Sequence, residues 1–280
     1  MSKLVWDVVG QRFYETGTKK GVLYVQDTGG TYPTGVAWNG LTGFSESPDG
    51  GDSTDIYADD IKYLSLRSRE NFKGTITAYT YPEEFDQCNG QATVAAGVTI
   101  GQQARKPFGF SYVTTVGNDT QFEDYGYKIH LVWGATASPS SKDYKTINDS
   151  PEAIEFSWEI DTIPVNVTGF KPTAHMEIDS TKATKAQMDA LEAVLYGQDA
   201  AEAAAATYKK TTDATPQTGK TYYTRSGTSP NYTYSEFSGS TFTSGTDYYE
   251  INTPAHDAIT ASVARLPLPD EVISILASAT

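Results

Sequence analysis

Three histidines, one cysteine and a dense set of carboxylates are the side chains from which acid–base, nucleophilic or metal chemistry would be built in this 280-residue chain. Their spacing argues against each chemistry in turn. His130, His175 and His256 stand at none of the short separations that pair metal ligands within one motif. His130 lies in an alternating run beside Ile129 and Leu131, which predicts a surface-facing or hydrogen-bonded residue. Cys88 precedes the turn pair Asn89-Gly90 with no histidine placed to activate it, so an inert, at least half-buried thiol is expected. Glu83 and Glu84, like Asp59 and Asp60, are adjacent in sequence, and nothing sets two carboxylates across a cleft as glycoside hydrolysis requires. No phosphate loop, dinucleotide fingerprint or nucleophile elbow is present. The expectation is a protein that is not an enzyme and uses no cofactor or metal.

One acidic segment needs separate treatment. Between Ser45 and Asp60 the chain carries Asp49, Asp52, Asp55, Asp59 and Asp60. A calcium hand needs ligands at positions 1, 3, 5, 7, 9 and 12 around a glycine at 6, and this segment lacks that spacing. It reads instead as a long loop, either solvated or in contact with another subunit, since structureless stretches of this length usually carry a function.

The elements that would position any site are strands. Gly21–Asp27, Val36–Phe44, Phe72–Tyr81, Phe108–Val116, Tyr127–Ala135 and Ala174–Asp179 all carry strand signals, and residues 1–20 read as a loosely packed arm. The clearest run is Ala153–Pro164. Ile154, Phe156, Trp158 and Ile160 alternate there with Glu155, Ser157, Glu159 and Asp161, as in an antiparallel sheet covered on one side. One helix is expected over 184–196: Thr184 and Gln187 make a capping box, Met188, Leu191, Val194 and Leu195 an apolar stripe, and Gly197 a stop. The fold class is therefore mainly β, an antiparallel sandwich or barrel with one flanking helix.

Composition narrows the function classes. The formal net charge of −14 opposes nucleic-acid or anionic-lipid binding by charge neutralisation. No apolar run reaches the ~20 residues of a membrane span. The first residues lack the pattern of a secretory signal, and a single cysteine precludes an internal disulfide, so folding in a cytoplasm is expected.

After Gly197 the composition changes. Residues 198–206 are alanine-rich and could extend a helix or form a stalk. Residues 207–252 are rich in Thr, Ser, Gly and Tyr, with Gly219-Lys-Thr-Tyr-Tyr-Thr echoed by Gly245-Thr-Asp-Tyr-Tyr-Glu. Two such units imply a small hairpin module. Its charged residues cancel: Lys209, Lys210, Lys220 and Arg225 balance Asp213, Glu236, Asp247 and Glu250.

Four blocks read in order, Ala78–Phe85, Gly101–Tyr112, Ile147–Glu159 and Ala264–Val272, resemble the major tail (tail tube) protein of long-tailed bacteriophages of Gram-positive hosts. The resemblance covers roughly 1–197 and 264–276 and breaks between them. It implies a tail tube core over 1–197, completed by 264–280, with residues 198–263 as an inserted surface module. It further implies homo-oligomeric rings, commonly hexameric, stacked into a non-contractile tube around a tape-measure protein. Tail terminator and distal tail or baseplate proteins would be further partners. The product would be a virion component assembled in the host cytoplasm, through whose lumen DNA passes without specific binding. On this reading 45–60 resembles the loop that reaches between rings, and the N-terminal arm and Leu266-Pro-Leu-Pro resemble inter-subunit extensions. Glu155, Glu159 and Asp161 are candidates for the lumen wall. The insertion should project outward as a knob, where Tyr222, Tyr223, Tyr248 and Tyr249 either contact host glycans or pack the knob's own core. The alternative is a phage decoration or fibre-type binding module that recognises a cell-wall glycan.

Overall fold

A computed structural model describes residues 4–147, 153–228, 231–255 and 258–279. In chain order its strands are β1 (Phe13–Val25), β2 (Gly35–Trp38), β3 (Leu41–Glu46), β4 (Asp49–Gly50), β5 (Ser53–Ala58), β6 (Ile61–Arg67), β7 (Glu70–Asn71), β8 (Lys73–Ala78), β9 (Ala92–Ala95) and β10 (Val98–Ile100). They continue with β11 (Phe108–Asn118), β12 (Phe122–Ala137), β13 (Phe156–Thr162), β14 (His175–Asp179), β15 (Thr207–Lys210), β16 (Tyr222–Thr228), β17 (Asn231–Phe237) and β18 (Tyr248–Thr253). Two helices, α1 (Lys185–Tyr196) and α2 (Pro269–Ser278), complete the description. The chain divides into two compact units, 1–197 with 262–280, and 198–261.

The first unit is built on one antiparallel sheet of order β2-β1-β11-β12-β13-β8-β3, with β14 added alongside β12. Phe44 of β3 stacks on Phe110 and Tyr112 of β11, and Trp38 of β2 meets Trp158 of β13 edge-on. These strands are not neighbours in the sheet, so the sheet bends over on itself as a sandwich. Its interior holds Leu23, Trp38, Ile76, Phe85, Phe108, Phe110, Val132, Trp158 and Ile160. Each fully buried side chain of this kind contributes about 1.5–3 kcal/mol.

The other face of the sheet carries a second core. Ile129, Leu131 and Trp133 alternate along β12 and pack against Met188, Leu191 and Leu195 of α1 and Val272 of α2. α1 starts at its capping box: Thr184 accepts from the Gln187 amide at 3.2 Å, and the Gln187 side chain accepts from the Thr184 amide at 2.9 Å. The single expected helix is thus one of two α-helices among the described residues. α2 opens with Pro269 in its first turn and with Asp270 and Glu271 at its positive end. Leu266-Pro-Leu-Pro is correspondingly no free extension, because Leu266 is buried and its amide donates to the Tyr32 carbonyl.

Other boundaries shift for local reasons. The expected strand Val36–Phe44 is two, β2 and β3, separated by a turn at Asn39-Gly40. The expected arm 1–20 shortens to an exposed stretch ending at Arg12, because Phe13 already pairs with Asn118 in the ladder of β1 and β11. β13 starts at Phe156, so Ile154 and Glu155 lie outside it. The residues 148–152 of the third sequence block, and His256, lie outside the described residues.

The second unit is a four-stranded antiparallel sheet, β15-β18-β16-β17, joined at its ends by the bridge of Ala201 to Ile259. Its alanine-rich entry is not helical. The two echoed sequence units pair directly, Tyr223 with Tyr249 and Thr224 with Tyr248. Tyr222, Tyr248 and Tyr249 are buried, and Phe242 stacks on Tyr248 while meeting Tyr222 edge-on. These tyrosines form the module's core, the second of the two roles their sequence allowed, while Tyr223 is half-buried.

Candidate assembly surface

The acidic segment 45–60 is not a loop. It is the outgoing half of a long two-stranded ribbon that runs from β3 through β4 and β5, turns, and returns through β6 and β7 into β8. The turn is a two-residue connection, with Ala58 paired to Ile61 and both Asp59 and Asp60 in the left-handed region at φ 51° and 61°. Aspartate tolerates that region better than most side chains, and two consecutive left-handed residues match the twist of a hairpin. Near its base the ribbon holds Gly50 at φ 91°, where a Cβ would overlap the Arg69 carbonyl.

Every residue of β5 and β6 is exposed. The register sorts them by face. Ile56 pairs with Leu64 and Thr54 with Leu66, while Ser53 pairs with Arg67 and Asp55 with Ser65. Part of the polar face is tied by its own contacts: Ser53 and Ser65 hydroxyls lie 2.7 Å apart, and Lys62 reaches Asp55 at 2.7 Å. The apolar face, Ile56, Leu64 and Leu66, has 37–55% exposure. A lone two-stranded ribbon is marginal in water, and its free edges are templates for another chain. Further exposed apolar side chains sit on the N-terminal segment, at Leu4, Val5, Trp6 and Val9, and on the β9–β10 hairpin, at Val94, Val98 and Ile100.

The five aspartates do not converge. Asp49 pairs with Lys73 at 2.9 Å, and that ammonium holds its carboxyl below the usual range. Asp55 is held low by Lys62. Asp52 offers its backbone carbonyl to Ser68, and Asp59 and Asp60 form the tip. Glu159 and Asp161 do project from the outer face of β13, opposite buried Trp158 and Ile160, with Lys73 near enough to be stabilised by both. Glu155 accepts a hydrogen bond from Thr42 at 2.6 Å.

Cys88 is fully buried, and burial pushes its thiol up to about 12. The histidines are where spacing misleads. The register of β12 with β14 sets His130 opposite Glu177 and Val132 opposite His175, so both imidazoles share one sheet face. His130 Nδ1 lies 3.3 Å from His175 Nε2, and Glu46 Oε1, at the end of β3, lies 3.9 and 3.7 Å from those atoms. His130 is buried, His175 is stacked on Phe72, and burial lowers both imidazoles below the ordinary histidine value. No short-range motif could reveal this pair, because 45 residues separate its members. No helix among the described residues is long and apolar enough to cross a membrane. Compared with protein-family models and with curated proteins, the chain has no significant match.

Proposed function

We propose that this chain is the structural subunit of a phage tail tube, self-assembling into stacked rings around a hollow lumen that conducts DNA. The observation that carries the reading is the ribbon β3–β8, whose apolar face finds no cover within its own chain among the described residues. A sandwich with exposed ribbon edges gains most by pairing with copies of itself, and a closed ring leaves no edge unpaired. The resemblance of the four sequence blocks supports the specific reading, and ring number, tape-measure protein and tail-end partners are proposed from it alone. The acidic face of Glu159 and Asp161 suits a wall that repels rather than grips a polyanion. A glycan-binding role loses its main support with the burial of Tyr222, Tyr248 and Tyr249. Sedimentation velocity on the full-length chain over a rising concentration series tests self-association. Growth into large discrete species supports the proposal, and a single monomer boundary throughout opposes it.

A further inference from the structure

We infer that Glu46, His130 and His175 form a binding site for a divalent transition-metal ion of the zinc type. The inference does not depend on the assembly reading. His130 Nδ1, His175 Nε2 and Glu46 Oε1 stand 3.3, 3.7 and 3.9 Å apart. Ligand bonds of about 2.0–2.1 Å in tetrahedral arrangement require edges of about 3.3 Å, so a small closure of Glu46 completes the triangle. Two imidazoles with one carboxylate suit zinc and its neighbours rather than calcium or magnesium.

The hydrogen bonds around the site prepare its donors. Thr114 has one hydroxyl proton, and it goes to Glu15 Oε1 at 2.5 Å. The same hydroxyl oxygen lies 2.9 Å from His130 Nε2, so it accepts, and the ring proton of His130 sits on Nε2. Nδ1 of His130 is then unprotonated and faces His175 and Glu46. This is the arrangement by which an outer hydrogen bond fixes a metal-binding histidine. Without an ion, Nδ1 of His130 accepts from His175 Nε2 at 3.3 Å, so metal binding requires the His175 proton to sit on that ring's Nδ1. Tyr112 donates to Glu46 Oε1 at 2.8 Å and orients the carboxylate in the same way.

A second cluster, Glu15, His130 and Glu177, shares His130 but is already served by a cation. Lys128 Nζ lies 2.8 Å from Glu15 and 3.0 Å from Glu177. The Glu46 cluster has no such ammonium among the described residues, and its Glu46 and His175 side chains, 40% and 21% exposed, give an ion a way in. A bound ion would tie the last residue of β3, where the ribbon leaves the sandwich, to β12 and β14.

The test uses the full-length chain, freed of metal by chelation and titrated with zinc chloride by calorimetry and with cobalt(II) by visible absorption. The expected result is saturable uptake of one ion per chain, with the intense cobalt bands of a site of low coordination number. Glu46→Gln and His175→Gln should each weaken it at least about a hundredfold, and Thr114→Val about ten- to a hundredfold with recovery in Thr114→Ser. Glu177→Gln should leave it unchanged. Circular dichroism and melting in chelator identify any variant that has lost its fold, and the cobalt spectrum of the unaltered chain stands independently of them. No saturable uptake, or uptake undiminished in folded His175→Gln, overturns the inference.

Discussion

Ile56 and Leu64 face each other across the ribbon, both on its apolar face and both more than a third exposed. Nothing in the fold of the sandwich needs them there, because the first core is complete without β5 and β6. Replacing Ile56 or Leu64 by Glu should therefore leave the melting temperature of the monomer within about 0.5 kcal/mol equivalent of the parent, as for most surface changes. Self-association should fall at least about tenfold, since a charge would have to be buried at the contact. Sedimentation and thermal melts on the same samples separate the two effects.

Two buried tyrosine hydroxyls should respond oppositely to removal. The Tyr24 hydroxyl donates to the Leu195 carbonyl at 2.9 Å and lies 3.1 Å from Ser111 Oγ, joining β1 and β11 to the end of α1. Tyr24→Phe strands those partners and should cost about 1–2 kcal/mol. The Tyr196 hydroxyl is buried with no partner among the described residues. Tyr196→Phe should be neutral or slightly stabilising. Denaturant unfolding of both variants checks the contrast.

Acid should loosen α2 before the sandwich. Glu271 is bonded by Arg265 through two contacts, at 2.9 and 2.5 Å, and that guanidinium holds its carboxyl below the usual range. Asp270 is likewise held low by the amide and hydroxyl of Thr168, at 2.9 and 2.7 Å. A carboxyl with a lowered folded value stabilises the fold above its unfolded value, near pH 4, and loses that contribution as pH falls through the folded one. Amide exchange in 269–278 should accelerate below about pH 4. Glu271→Gln should be less stable near neutrality and show a weaker acid dependence.

The insertion should be removable. Gly197, at φ 76°, lies against the backbone of Ser262–Ala264, where a Cβ would come within 2.7 Å of the Ser262 carbonyl. The chain thus leaves and re-enters the first unit at one place, as inserted domains do. Replacing 198–261 by a short glycine-serine linker should leave the first unit folded, with its melting transition retained. Loss of that transition would show that the second unit is needed to hold α1 and α2 in place.

Much of this architecture was legible, and the parts that were not share a cause. The alternation through Ala153–Pro164 and the Thr184–Gln187 box are local signals; the helix forms where its box points, and the strand forms over Phe156–Thr162 only. The ribbon escapes a local pattern because its turn is Asp59-Asp60 instead of the glycine-containing pairs that usually mark such hairpins. α2 has a helix-start pattern in Pro269, Asp270 and Glu271, but the resemblance assigns the Leu266-Pro-Leu-Pro segment before it to an inter-subunit extension. The paired tyrosines allow a binding surface or a core in sequence, and burial of Tyr222, Tyr248 and Tyr249 selects the core. The histidine cluster depends wholly on strand register and could not be seen beforehand.

Negative-stain electron microscopy of the full-length chain, concentrated stepwise, tests the central claim most directly. The account predicts rings or hollow tubes, lost in Ile56→Glu. Dispersed monomers at every concentration, with the ribbon intact by amide exchange, would contradict it.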